Sequence, residues 1–118
     1  MSVRGAGQHI KDTVSAWEGI TAHPHRFGGT EFRLGDREIG HVHGDGLVDL
    51  PFPTRVRNEL VAAGQAAPHH VLPESGWVSF HIRRPEDTGN AIALLRRSYD
   101  LAVEQRVRAR LRETQRSV

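Results

Sequence analysis

A chain of 118 residues without a cysteine has the length of one domain and excludes disulfides and thiolate metal centres. Sixteen Lys and Arg against fourteen Asp and Glu leave a net charge of only +2, too slight to announce a polyanion-binding protein. No apolar run approaches the roughly 18–20 residues that cross a bilayer, and the opening MSVRGAGQHIKDT lacks the apolar stretch of a signal peptide. The expectation is a soluble, cytoplasmic protein with no membrane partner, forming one domain over residues 1–118. Its core spans about 6–104, and residues 105–118 form a basic helical extension.

In chain order, residues 1–5 read as a frayed end. Ile10, Val14 and Trp17 then fall on one helical stripe, predicting a helix over about 6–18 that Gly19 ends. Residues 20–29 read as a connector. In it, His23-Pro24-His25 is held extended by the proline, and Gly28-Gly29 precede a strand.

Residues 23–52 read as three short strands joined by two glycine-bearing turns. Gly35-Asp36 is a two-residue hairpin signal. It predicts Leu34 opposite Arg37, Arg33 opposite Glu38, Phe32 opposite Ile39 and Thr30 opposite His41. Gly44-Asp45-Gly46 predicts a three-residue loop with His43 opposite Leu47 and His41 opposite Asp49. By alternation, one face carries Phe32, Ile39, His41, His43, Leu47 and Asp49. The other carries Glu38, Gly40, Val42, Val48, Leu50 and Phe52.

Pro51-Phe52-Pro53 stops the pairing. Thr54 reads as the N-cap of a helix to about residue 63, with Val56, Leu60 and Ala63 on one side and Gly64 just past its end. A second hairpin over about 67–83, with Pro73-Glu74-Ser75-Gly76 as loop, predicts Leu72 opposite Trp77, Val71 opposite Val78 and His70 opposite Ser79. Val71, Val78, Phe80 and Ile82 then face the core, and His70, Trp77, Ser79 and His81 share the other side. Pro85, Glu86 and Asp87 open the last helix, with Ala91, Ile92, Leu95, Tyr99, Ala102 and Val103 as its buried stripe. The fold class is α+β: an antiparallel sheet of two hairpin or meander units with helices on one face, a double-wing-like layout.

The runs HPHRFGGTEFRLGDREIGHVHGDGLVDLPFP, APHHVLPESGWVSFHI and AIALLRRSYD resemble the luciferase-like domain family of small bacterial proteins. The resemblance extends over about residues 10–104 and includes His25, Phe27, Glu31, Glu38, His41, His43, Asp49, His69, His70 and Trp77. It implies the family's fold and no assigned reaction. Light emission would require an apolar, water-excluding pocket, to which nothing in the composition points. Trp77-Val78-Ser79, followed by a helix with Leu95, Ser98 and Tyr99, is also similar to double-wing proteins of the DNA-binding kind. That likeness bears on fold rather than function.

The ligand-binding candidates are His41, Asp49, His70 and His81, with His25, His43, Glu38 and Trp77 around them. Imidazoles supply hydrogen bonds and Trp77 supplies an apolar wall, which suits a small-molecule cleft. His41, His43, His70 and His81 are also possible metal ligands, forming with Asp49 a nitrogen and oxygen set of the transition-metal kind, although no HExxH pattern accompanies them. The competing reading is that these histidines satisfy backbone groups in turns. A serine nucleophile at Ser79 lacks the GxSxG elbow. Nucleic-acid binding would use the arginines of the last helix, from Arg96 to Arg116, together with Arg83 and Arg84, and it is not the expected partner. The cofactor, the oligomeric state and whether a reaction occurs stay open.

Overall fold

The computed structural model describes residues 3–26 and 28–116; Phe27 lies outside them. A six-stranded antiparallel sheet in the order β1-β2-β3-β4-β6-β5 is covered on one face by three helices. The elements are α1 (Ala6–Ser15), β1 (Ile20–Pro24), β2 (Thr30–Leu34), β3 (Arg37–His43), β4 (Leu47–Pro51), α2 (Thr54–Ala62), β5 (Ala67–Pro68), β6 (Trp77–His81) and α3 (Pro85–Arg116). This is the α+β class that the alternation and the helical stripes predict.

The core forms where those apolar stripes meet. Ile10 and Val14 of α1, Val56 and Leu60 of α2, and Leu95, Tyr99 and Ala102 of α3 pack on Phe32, Ile39, Val42, Val48, Leu50 and Val78 of the sheet. Tyr99 also donates its hydroxyl to the Glu18 carbonyl at 2.7 Å, which ties the end of α1 to α3. Among the described residues no helix is long and apolar enough to cross a membrane.

Several expectations are corrected. Residues 20–29 are not merely a connector, because Ile20–Pro24 forms the edge strand β1, with Ala22 opposite Phe32 and His23 opposite Glu31. Its five residues alternate Ile20, Ala22 and Pro24 with Thr21 and His23, a pattern too short and too weakly apolar to mark a strand by itself, and pairing with β2 makes it one. Residues 3–5 are not frayed. The Asp45 carboxylate, from the turn between β3 and β4, accepts the N–H groups of Gly5 at 3.2 Å and Gly7 at 2.8 Å, satisfying orphan donors at the start of α1. Helix α1 ends at Ser15, before Trp17. Thr54 is the first residue of α2 rather than its cap, and Ala63 is exposed.

The meander register holds near both turns and fails between them. Leu34 pairs Arg37 and Arg33 pairs Glu38, but a bulge follows, so that Phe32 pairs Gly40 and Glu31 pairs His41. The spare residue, Ile39, moves to the core face beside Phe32, and Glu38 moves to the histidine face. Gly40 makes this possible. Its φ is +152°, and a Cβ there would stand 2.7 Å from a Leu95 methyl.

The second hairpin also differs. Ala67, not His70, pairs Ser79, and residues 69–76 form a long loop. Pro68 and Pro73 deny that stretch the donors a ladder needs. Val71 is consequently 67% exposed rather than in the core. Phe80 is half-buried, packed on the edge of the core beneath α2 and α3. Helix α3 runs 32 residues, roughly 48 Å at 1.5 Å per residue, and Val107 and Leu111 on its last turns are exposed.

Two outcomes follow. Gly7→Ala, normally favourable in a helix, would set its Cβ 2.3 Å from the Gly44 carbonyl oxygen. It should lower stability by about 1–3 kcal/mol, read as a urea midpoint shift. Deleting residues 105–118 removes mostly exposed side chains and should leave the far-ultraviolet spectrum per remaining helix and the melting temperature nearly unchanged.

Candidate functional site

The face of the sheet away from the helices holds a cleft of about 570 Å³, lined by His25, Glu38, His41, His43, Asp49, His69, His70, Val71, Leu72 and Trp77. Strand alternation builds its floor. His41 and His43 project from β3, Asp49 stands opposite His41 on β4, and Ser79 stands opposite Asp49 on β6. The bulge at Ile39 brings Glu38 to the same side. The loop 69–76 folds over from β5 and contributes the other wall.

Asp49 is the centre. It is 1% exposed, and a carboxylate so placed needs donors for every lone pair it can fill. One oxygen, Oδ1, accepts the Ser79 hydroxyl at 2.7 Å. The other, Oδ2, accepts His41 Nε2–H at 3.1 Å and lies 3.5 Å from His43 Nε2 and 3.6 Å from His69 Nε2. Burial alone would raise the Asp49 pKa, but the hydrogen bonds from His41 and Ser79 outweigh it and hold the group at about 2.

His41 is buried at 6% exposure and both of its ring nitrogens meet carboxylates, because Nδ1 also donates to Glu38 at 2.6 Å. Burial disfavours its charge, yet the bonds to Asp49 and Glu38 prevail and raise its pKa to about 9. At neutral pH it is an imidazolium between two carboxylates. The rings of His43 and His69 go the other way, since burial lowers both pKa values. The His69 Nδ1 accepts the backbone N–H groups of Val71 and Leu72 at 3.1 Å each. Its proton therefore sits on Nε2, facing Asp49, and the same two bonds fix the loop.

His25 stacks on His41 with ring centroids 3.8 Å apart, and its Nδ1 meets Glu31 at 3.1 Å. Glu31 is buried. Desolvation opposes its charge, but Arg33 at 2.6 Å and His25 keep its pKa below the ordinary value. Trp77 stands 5.5 Å from the His41 ring and 6.0 Å from the His69 ring, closing one side of the cleft with Val71 and Leu72.

Of the sequence candidates, the fold brings His25, Glu38, His41, His43, Asp49, His70 and Trp77 to one cleft. His70 sits at its rim, stacked on His69 and 3.4 Å from the Ser79 hydroxyl. His81 is corrected: it is exposed, pairs Leu47 at the far end of β6 and lies outside the cleft. His69 and Glu31 belong to the cluster without having been singled out as site residues. Both lie among the positions that carry the family resemblance, but alternation does not give their roles: Glu31 lies two residues from Arg33 on a strand, and the role of His69 depends on an irregular loop. Ligand atoms of His25, His41 and His43 lie within 4.8 Å of one another, as do those of Asp49, His69 and His70, and of His25, Glu31 and Glu38.

The family model described as Luciferase domain matches residues 36–98. The chain belongs to that family. No curated protein and no solved structure matches the chain. The matched span of this Luciferase domain lies within the stretch, about residues 10–104, whose motifs resemble the family. It takes in Glu38, His41, His43, Asp49, His69, His70 and Trp77, while His25 and Glu31 precede it.

Removing the His41 ring would strand two carboxylates, so His41→Ala should cost about 3–5 kcal/mol, far above a surface change. Asp49→Asn should be similarly damaging. The pH dependence has a definite sign. His41 is raised from 6.5 to about 9, so its contribution is complete below about pH 6.5 and is lost as pH rises through 9. His43 and His69 are lowered from 6.5, so theirs is lost as pH falls below that value. Asp49, lowered from 3.8 to about 2, adds a further loss at the acid extreme. Denaturant midpoints should therefore be greatest near pH 6.5 and fall on both sides, the alkaline fall being absent in His41→Ala.

Proposed function

We propose that this Luciferase domain binds a small organic molecule in the histidine cleft. The observation that carries the reading is the joining, in one cleft of about 570 Å³, of an apolar wall made by Trp77, Val71 and Leu72 with a floor of imidazoles and carboxylates. Ligand sites are typically concave and largely apolar, with a few fixed polar groups that set orientation. The apolar part of the ligand lies against Trp77, whose rigid ring offers area at little entropic cost. Its polar end takes hydrogen bonds from His43, His69 and His25. The charged pair His41–Asp49 beneath them is held rigid by Glu38 and Ser79 and gives the floor its orientation.

Three arginines of α3 are already engaged within the molecule, which does not favour a nucleic-acid reading. Arg96 covers the rings of Trp17 and Tyr99 and pairs Asp100, Arg97 meets Glu59 and Arg108 meets Glu104. Those guanidinium groups serve the helix and its neighbours.

The test is a screen of small aromatic and amphipathic compounds by melting temperature, followed by tryptophan fluorescence. Trp77 lines the cleft, whereas Trp17 packs on Tyr99 with centroids 5.4 Å apart. A ligand in the cleft should change the emission of wild type and of Trp17→Phe. It should leave that of Trp77→Phe unchanged, and His43→Ala should weaken it. An emission change carried by Trp17 alone would move the ligand elsewhere and defeat the proposal.

A further inference from the structure

We propose that His25, His41 and His43, completed by Asp49, form a binding site for one divalent transition-metal ion. The reading rests on donor geometry and stands apart from the small-molecule proposal, although the ion would lie in the floor of the same cleft.

Three features point to it. The first is convergence: ligand atoms of the three histidines lie within 4.8 Å of one another. Asp49 Oδ2 lies 3.1 Å from His41 Nε2 and 3.5 Å from His43 Nε2. In a tetrahedral site with metal–nitrogen bonds near 2.0–2.1 Å, neighbouring donors are separated by about 3.3 Å. Asp49 and its two histidines already stand at that spacing.

The second is what holds the rings from behind. A histidine that ligates a metal typically donates its other ring N–H to a carboxylate. Here His25 Nδ1 meets Glu31 at 3.1 Å and His41 Nδ1 meets Glu38 at 2.6 Å. With Nδ1 held by Glu38, His41 would take the ion at Nε2 by releasing to solvent the proton it now gives Asp49, whereas His25 would turn toward the ion the ring nitrogen opposite Glu31. Glu31 is itself anchored by Arg33 at 2.6 Å, and Asp49 by Ser79 at 2.7 Å. The donors and their supports thus come from four neighbouring strands and the turn after β1.

The third is chemical type. Three imidazoles and one carboxylate, with no thiolate, suit zinc, cobalt, nickel or copper rather than calcium or magnesium. His69 is not part of the set. Its Nδ1 accepts two backbone N–H groups, so its Nε2 carries the proton and has no lone pair to offer. The rings of His25 and His41 are parallel within 14°, and lone pairs in parallel planes run side by side. Closing on one ion therefore tilts the His25 ring, which sits on the turn between β1 and β2 rather than inside a strand.

The experiment uses the full chain without an affinity tag, treated with a chelator and then titrated with zinc by calorimetry and with cobalt by visible absorption. The expected result is one ion per chain, with cobalt bands of tetrahedral intensity. His25→Ala and His43→Ala, whose rings are less buried than His41, should weaken binding at least tenfold while circular dichroism reports an intact fold. Glu38→Gln should weaken it by about 10–100-fold, as loss of an orienting partner does, and His81→Ala should not change it. Absence of saturable uptake, or affinity unmoved by His25→Ala and His43→Ala, would each overturn the assignment. Because Trp77 fluorescence with an organic ligand is a separate readout, failure here leaves the cleft proposal to its own test.

Discussion

A carboxylate sealed beneath a sheet surface must be answered by donors, and Asp49 governs this molecule through that need. Its two oxygens draw His41 from β3, Ser79 from β6 and His69 from the irregular loop toward one point. Three separate segments are thereby fixed by one residue of a central strand. His41 in turn carries the demand outward to Glu38. The result is a chain of alternating charges, Glu38, His41 and Asp49, laid across the floor of a cleft whose walls are apolar. In such a setting each charge is tolerable only because its neighbour is present. Rigidity of the floor and intolerance of substitution in it therefore have the same origin.

The sequence was most legible where a turn fixes register. Gly44-Asp45-Gly46 places His41 opposite Asp49, and that pairing is present. The α+β class and the stripes of the helices follow from periodicity in the same way. What was not legible depends on the partner rather than on the segment. Strand β1 has only a short alternation of small or weakly apolar residues, Ile20, Ala22 and Pro24, and is completed by the edge that β2 offers. The bulge at Ile39 cannot be read from a pattern of alternation, since a single extra residue reverses the faces beyond it. It nonetheless settles an internal contradiction of the simple register, in which Phe32 and Ile39 would have shared a face with the histidines.

The candidate site was readable to the same depth. His41, His43, Asp49, Glu38 and Trp77 lie on strands or at their ends, and alternation predicts their side. His81 obeys the same alternation, yet it lies one pair too far along β6, so face alone was not enough. His69 escaped because its position is set by a loop whose shape comes from two prolines and from hydrogen bonds that its own ring accepts. Membership of the Luciferase domain family covers the floor and the loop wall but begins after His25 and Glu31. The stacked ring above His41 is thus supplied by a part of the chain outside the matched span.

The separations along the chain carry a consequence for how the molecule is assembled. His41 and Asp49 are 8 residues apart, whereas Ser79 reaches Asp49 across 30, Asp45 reaches Gly7 across 38 and Tyr99 reaches Glu18 across 81. Closing a short loop costs less chain entropy than closing a long one, and local contacts favour rapid folding. The meander of β2, β3 and β4 is therefore the natural nucleus. On that order of events the two opposed charges meet while still wet, on a bare hairpin. Water leaves them only when β6 and the loop arrive, so the carboxylate never has to enter a dry interior alone.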